Sequence, residues 1–453
     1  MLRRPFTRRA IRRPSSIRGA SVALAFVAVA FALGASVPVA LAASGSSAKV
    51  PTAPSAVDDS LPPADPAQFA RCLGKLEPLA RSRGISAATW SAQLGGIEPD
   101  RGVLASLDYQ PEFRTPIWDY LAALVDDDRI EDGRAMLEQH ADTLAAVERR
   151  FGVDPATVVA VWGVESNYGR NFGKLSLVRS LATLSCFGRR QSYFQEEFLT
   201  LLRIVEEGHV APDALVGSWA GAFGQTQFMP STFMNTAVDF DGDGRRDIVG
   251  SVPDALASTA NFLRRAGWRR GETWGFEVRL PDSFNTNLAG RRNRRSLSEW
   301  ISLGLTLADG RPIDPAEFRL TPVMRAGLIV PAMRDVRSAR APAFLVLPNF
   351  DALYAYNAAE SYALAIAHLA DRLRGGPPFH APWPTDDPGI GRAERRELQE
   401  LLIRRGHDIG EVDGLIGSRS RAAIAKEEER LGWPVSGRAG RKILEALRLQ
   451  QSG

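Results

Sequence analysis

The sequence predicts a mainly α-helical body, with minor β structure, followed by a small, separate helical unit. Three observations carry this reading. Apolar residues recur at helical spacing, with capping residues at the matching ends, through most of residues 67–374. Strand-like runs are short and few, confined to "FEVRL" (Phe276–Leu280) and "FLVLP" (Phe344–Pro348). "GGPPFHAPWPTDDPG", at 375–389, has five prolines in fifteen residues and cannot be a helix interior, so it divides the body from a tail.

The chain of 453 residues, 45% apolar, has room for about three domains. Its N-terminus differs in kind from the rest. Residues 1–18 carry seven arginines and no acid, Val22–Ala35 is apolar and uncharged, and "VALAA" at 39–43 offers small residues at A-x-A spacing. This is the form of a secretory signal peptide cut after Ala42, which predicts export and a periplasmic location. An uncleaved anchor is the alternative, although the apolar run is shorter than the ~20 residues a membrane span requires. Contact with a membrane is expected only through that segment.

Residues 43–66 are rich in Ser, Pro and Ala and read as a linker. The leader's seven arginines exceed the formal charge of +4, so the mature chain is expected to carry −3. A basic nucleic-acid-binding surface is therefore not expected. The two cysteines, Cys72 and Cys186, would meet oxidising conditions after export, and the expectation is a disulfide between them.

Within the body, "LEQHADTLAAVERRFG" places Leu137, Leu144, Val147 and Phe151 on one stripe and ends at Gly152, a C-cap residue. "VDPATVVAVWGVE" begins with Asp154 as N-cap and Pro155 at the first helical position; its β-branched and aromatic run predicts a buried helix. "SVPDALASTANFLRRAGW" repeats the form, with Leu256, Ala260 and Leu263 inward.

Glu165 falls at the end of the buried helix, in "VWGVESNYGRNFG", with no His, Cys or second acid beside it in sequence. Partial desolvation and the negative end of the helix dipole both disfavour its ionised form. A carboxyl group so placed suits a general acid.

Three segments, "GVESNYGRNFGKLSLVRSLATLSCFGRRQSYF", "GSWAGAFGQTQFMPSTF" and "YNAAESYALAIAHLADRL", resemble in order and spacing the membrane-bound lytic murein transglycosylase B family. The resemblance spans about Ala67 to Arg374 and implies a lysozyme-like, α-rich catalytic domain that cleaves peptidoglycan glycan strands. It implies that Glu165 is the sole acid and base: it protonates the oxygen between N-acetylmuramic acid and N-acetylglucosamine, and later takes the proton of the muramic C6 hydroxyl as an anhydro ring closes. One carboxylate then suffices, because the sugar supplies the nucleophile that a second carboxylate or a water supplies in ordinary glycosidases.

By the same resemblance, Ser218 and Gln227 line the site, and Tyr356, Asn357 and Tyr362 match a Y-N-x-x-x-x-Y element beside the acid. Tyr120 aligns with a cleft tyrosine. Arg189 and Arg190 match a pair suited to the carboxylates of stem peptides, and Phe228 is expected to stack on a sugar. The other outcomes open on sequence grounds are a hydrolase that uses water and a wall-binding protein without catalysis.

"DFDGDGRRDIVG", 239–250, reads as an EF-hand-type loop: Asp239, Asp241, Asp243, the Arg245 carbonyl and Asp247 fall at ligand positions 1, 3, 5, 7 and 9. Position 12 is Gly250, so Ser251 or Asp254 would have to replace the usual bidentate acid. The expectation is a weak structural Ca²⁺ site, which the resemblance supports because some family members bind calcium here, or a loop that keeps the turn without tight binding; no cofactor is expected to be required for catalysis. Five scattered histidines without ligand spacing argue against catalytic zinc.

After a Pro-rich linker (375–391), residues 392–453 resemble a three-helix peptidoglycan-binding module through "LQELLIRRGHDIGEVDGLIGSRSRAAIA", with an Asp413-Gly414 turn and Ser418 or Ser420 as the expected N-cap. Glu427 and Glu428 stand where that family usually has Phe and Gln. Peptidoglycan is the expected partner of both parts.

Overall fold

The computed structural model describes residues 64–107, 115–331 and 341–450. The expected signal peptide and residues 43–63 of the expected linker lie outside these. No helix among the described residues is long and apolar enough to cross a membrane.

Helix ends are set by local chemistry. Helix α1 (Pro66–Ser82) starts at Asp65, whose carboxylate accepts the N–H groups of Ala67 and Gln68. Then come α2 (Ala87–Leu94), α3 (Arg101–Ser106), α4 (Ile117–Leu124), α5 (Asp127–Gln139) and α6 (Ala141–Phe151). The stripe expected over Leu137 to Phe151 is divided between two helices. His140, at φ −110 and ψ 22, ends α5 and starts α6, with its ring edge-on to Trp162. Leu144, Val147 and Phe151 form the buried face of α6, which Gly152 closes in the left-handed conformation.

Helix α7 (Pro155–Ser166) is capped by Asp154 and has Pro155 at its first position; Ala156 to Gly163 are all buried. It is followed by β1 (Leu175–Ser176), α8 (Leu177–Cys186), α9 (Gln191–Glu206), β2 (Val216–Gly217), α10 (Pro230–Thr236) and α11 (Val252–Arg265). A disulfide joins Cys72 of α1 to Cys186 at the end of α8, with the Cα atoms 5.7 Å apart.

The next unit is an antiparallel sheet of β3 (Gly275–Arg279), β4 (Gly290–Ser296), β5 (Thr306–Leu307), β6 (Arg325–Ile329) and β7 (Ala343–Val346), with α12 (Leu297–Ser302) beside it. The strand order is β4-β6-β7-β3-β5. Phe276 faces Leu345 and Val278 faces Ala343, so the two runs legible as strands are neighbours. Strand β4, "GRRNRRS", has no apolar alternation to betray it. It is an edge strand, and Arg291 and Arg294 meet Asp351 while the Arg291 guanidinium lies 3.7 Å over the Tyr354 ring.

Asp351 and Tyr354 belong to α13 (Pro348–Asn357), which leads into α14 (Glu360–Leu373). Helices α5, α6, α11 and α14 all pack on α7. This explains its valines on every side: a helix covered all round carries no polar stripe.

The tail forms α15 (Arg392–Arg404), α16 (Ser418–Arg430) and α17 (Arg441–Leu449) around Leu398, Leu402, Ile424, Leu444 and Leu447. The Asp413-Gly414 turn is present: Gly414 has φ 76, and its N–H meets Gln399 at 2.7 Å. The N-cap of α16 is Gly417, with no side-chain cap, so neither Ser418 nor Ser420 fills that place.

Candidate active site

Glu165 is the last residue but one of α7, half-buried. The helix stops because Asn167 and Tyr168 turn left-handed, with their N–H groups returned to Gly163 O (3.1 Å) and Trp162 O (3.3 Å). Between them and the acid sits Ser166, 1% exposed, whose hydroxyl donates to Gln225 O at 2.7 Å and accepts from Gly169 N at 3.0 Å.

The segment that Ser166 grips is a small β element. Strand β1 pairs with β2, and Phe223 bridges to both Gly217 and Phe228. Gly173 and Gly217 are required there: a Cβ on Gly173 would strike the Gly217 carbonyl, and one on Gly217 the Ala222 carbonyl. Ser218 closes the turn, with N–H to Ala222 O at 2.8 Å and Oγ accepting Ala222 N at 3.0 Å. That acceptance leaves its hydroxyl proton available to donate. Gln227, left-handed at φ 49, spends its amide N–H groups on Phe172 O (3.1 Å) and Gly224 O (2.9 Å), which leaves its carbonyl oxygen as an acceptor.

On the other side of the acid are the tyrosines of α13 and α14. The Tyr362 hydroxyl donates to Glu165 Oε1. Tyr356 donates to Thr226 O at 2.7 Å and stacks on Tyr362 with ring centroids 6.1 Å apart. Burial first, and then the charge of Glu165, push both hydroxyls well above the ordinary tyrosine value, so both remain protonated donors. Tyr120 of α4 adds in the same direction to Tyr362, which places it in the same neighbourhood. Asn357, the last residue of α13, is exposed.

One expectation is placed elsewhere. Phe228 is 2% exposed, its ring against Phe262 and Tyr356; it backs Tyr356 and has no face to offer a sugar. Arg189 and Arg190 lie at the turn between α8 and α9, Arg189 donating to Leu107 O at 3.2 Å and Arg190 lying 4.4 Å over the Tyr193 ring. A second buried acid, Glu197 of α9, accepts from Ser231 N (2.8 Å) and Oγ (2.6 Å), a cap on α10. Sequence reading missed Ser166, although its place directly after the acid was a signal.

In the 239–250 loop the converging carboxylates are Asp239, Asp241 and Asp254, with oxygens within 4.8 Å of one another. Asp254 is fully buried. It accepts Phe240 N (2.7 Å) and Asp241 N (3.3 Å) on one oxygen and Asp247 N (2.8 Å) on the other. Burial pushes its carboxyl up against those three donors. Of the other carboxylates expected as ligands, Asp243 and Asp247 lie outside this group. Asp243 accepts Arg245 N at 2.8 Å, and Asp247 accepts Val249 N and Gly250 N, both at 2.8 Å. The all-oxygen donor set suits a hard cation such as Ca²⁺.

A single carboxyl group ending a core helix, held by a tyrosine hydroxyl and tied to a small β element, defines a lysozyme-like enzyme fold. Residues 68–371 match the family model of the transglycosylase SLT domain, and the chain belongs to that family; residues 391–447 match the model of a peptidoglycan binding domain. The chain is 33% identical over 275 residues to the membrane-bound lytic murein transglycosylase B of Escherichia coli K12, covering 59% of this chain and 67% of that protein. It is similar to SltB3 of Pseudomonas aeruginosa, solved in complex with NAG-anhNAM-pentapeptide, with 44% identity, 84% and 99% coverage and a TM-score of 0.66. The Escherichia coli lytic transglycosylase Slt35, solved in complex with calcium, is 27% identical, with 69% and 94% coverage and a TM-score of 0.57.

Proposed function

We propose that this chain is a periplasmic lytic transglycosylase that cuts the bond between N-acetylmuramic acid and N-acetylglucosamine in peptidoglycan. The observation that carries the reading is the Tyr362 hydroxyl on Glu165 Oε1 at the end of the buried α7.

Glu165 gives its proton to the glycosidic oxygen, and the carbon–oxygen bond to the leaving sugar breaks. The carboxylate so formed keeps the Tyr362 hydroxyl as a donor, which favours the charge just created. The substrate's acetamido group shields the positive anomeric carbon. The carboxylate then takes the C6 hydroxyl proton, the C6 oxygen bonds to that carbon, and Glu165 is neutral again. No water is consumed. The Ser218 hydroxyl and the Gln227 carbonyl offer a donor and an acceptor for sugar and acetamido groups, as Asn357 does from the end of α13.

Asp239, Asp241 and Asp254 would hold a calcium ion that stiffens the loop leading into α11; the chemistry needs no metal. Cleavage of the leader after Ala42 would release the enzyme into the periplasm, where α15 to α17 bind the wall.

Digestion of purified sacculi followed by mass spectrometry tests the reading. Products lighter than hydrolytic ones by one water are expected, and hydrated products would assign a hydrolase instead. Glu165→Gln should abolish turnover while the protein still sediments with sacculi; persistent turnover in that variant removes Glu165 from its role.

A further inference from the structure

The acid's helix ends on two consecutive non-glycine residues in left-handed conformation, Asn167 (φ 51) and Tyr168 (φ 59). Asn adopts that conformation more readily than most residues, whereas a bulky residue such as Tyr persists there only where its surroundings hold it. Each is held by a different element. The Tyr168 hydroxyl donates to Arg129 O at 2.7 Å, and its ring lies so close to Gly133 and Gly163 that a Cβ on either would collide. Asn167 is held from the C-terminal module. Arg392, the first residue of α15, donates to Asn167 Oδ1 at 2.9 Å and pairs with Asp132 of α5 at 3.5 Å. Its side chain is 12% exposed, so both contacts are largely shielded from water.

The module also grips α4 and the start of α5. Arg438 donates twice to the Asp119 carboxylate, at 2.5 and 2.6 Å, and Arg396 pairs with Asp128 at 2.5 Å. Gly389 lies so close to Asp119 and Ala122 that it has no room for a Cβ. Asp119 directly precedes Tyr120, the neighbour of Tyr362.

We infer that the C-terminal module is a structural part of the catalytic site, with Arg392 as a positioning residue: it fixes the left-handed Asn167 that ends the acid's helix and so sets where the Glu165 carboxylate stands against Tyr362. A guanidinium suits the task because its planar fork serves Asn167 and Asp132 together, which a lysine ammonium cannot do in the same geometry. The inference rests on Glu165 being the catalytic acid.

The test uses the full mature chain on soluble, uncrosslinked glycan strands. Arg392→Ala and Arg392→Lys should each lower kcat about tenfold, the scale of a displaced but intact catalytic group, with KM and sacculus retention changed less than about twofold. In an Asn167→Gly background, where the left-handed turn no longer depends on Arg392, Arg392→Ala should cause no further loss. Should Arg392→Ala fail to fold, Arg392→Lys and the Asn167→Gly pair carry the same comparison. Wild-type kcat with weakened KM and retention would show that the module only tethers, and a full additional loss in the Asn167→Gly background would show that Arg392 does not act through Asn167; either overturns the inference. If Glu165→Gln keeps turnover, the assignment of Glu165 fails first. If it abolishes turnover and the Arg392 variants match the wild type, this inference alone falls.

Discussion

Ser166 donates its hydroxyl to the carbonyl of Gln225 at 2.7 Å, and this bond joins the acid's helix to the segment that carries Gln227. Together with the Gln227 amide on Phe172 O and the pairing of β1 with β2, it assembles the site across about sixty residues of sequence. Ser166→Ala leaves the Gln225 carbonyl and the Gly169 N–H without that partner. A loss of about 1–3 kcal/mol in denaturant unfolding is expected, the range for an orphaned buried polar group. Turnover should fall with it, and a variant with unchanged stability and rate would show the bond to be incidental.

Tyr362 offers a cleaner separation of chemistry from folding. Its hydroxyl stays protonated because burial, and then the Glu165 charge, oppose its ionisation. Tyr362→Phe keeps the ring that stacks on Tyr356 and removes only the donor. A hydrogen bond to a charged group contributes about 1.5–3 kcal/mol, so kcat on sacculi should drop roughly 10–100-fold. Binding to sacculi should be nearly unaffected, and the melting temperature should change little.

How far the site was legible depends on the kind of signal. Asp154, Pro155 and the valines of α7 announced a buried helix ending at Glu165, because caps and apolar runs act locally. The charged β4 gave no such signal: its pairing is decided by β6, some thirty residues away, and two of its arginines, Arg291 and Arg294, are satisfied by Asp351. Phe228 misled because an aromatic residue in a site motif can as well support the site as line it. Glu427 and Glu428 stand where the related modules usually have Phe and Gln, yet both are buried and partnered. Burial pushes the Glu427 carboxyl up, but His407, Arg430 and Arg405 bring it below the ordinary carboxylate range. Glu428 accepts Ser436 N at 2.6 Å and Gly437 N at 2.7 Å. A single sequence cannot show such compensation, since the partners lie on other elements.

Calcium should act on stability and not on rate. Asp254 is buried and its two oxygens already organise the backbone of the loop, so a bound ion would add to a preformed frame. At a calcium concentration near 100 times Kd, a stabilisation of about 2.7 kcal/mol follows from mass action. A chelator should lower the melting temperature by the matching amount and leave turnover at 25 °C intact. Asp254→Asn should remove the calcium-dependent shift; a shift that survives in Asp254→Asn would place the ion elsewhere.

His368 predicts how the enzyme responds to acid. It lies in α14, 8% exposed, with its ring on Phe379 at a centroid distance of 3.7 Å. Burial first, and then the charge of Arg372, push its pKa down to about 3, against 6.5 for an ordinary histidine. Folding therefore favours the neutral ring. Above pH 6.5 both folded and unfolded states are neutral at this position and its contribution is complete. As pH falls from 6.5 toward 3, the unfolded chain takes up a proton that the folded one refuses, and stability declines by about 1.4 kcal/mol per pH unit from this group. His368→Phe keeps a flat ring against Phe379 and removes the titration. The difference in unfolding free energy between variant and wild type should therefore grow in the variant's favour as pH is lowered from 6.5 to 4, and stay constant between pH 7 and 8. Parallel stability curves across the whole range would show that His368 takes no part in acid unfolding.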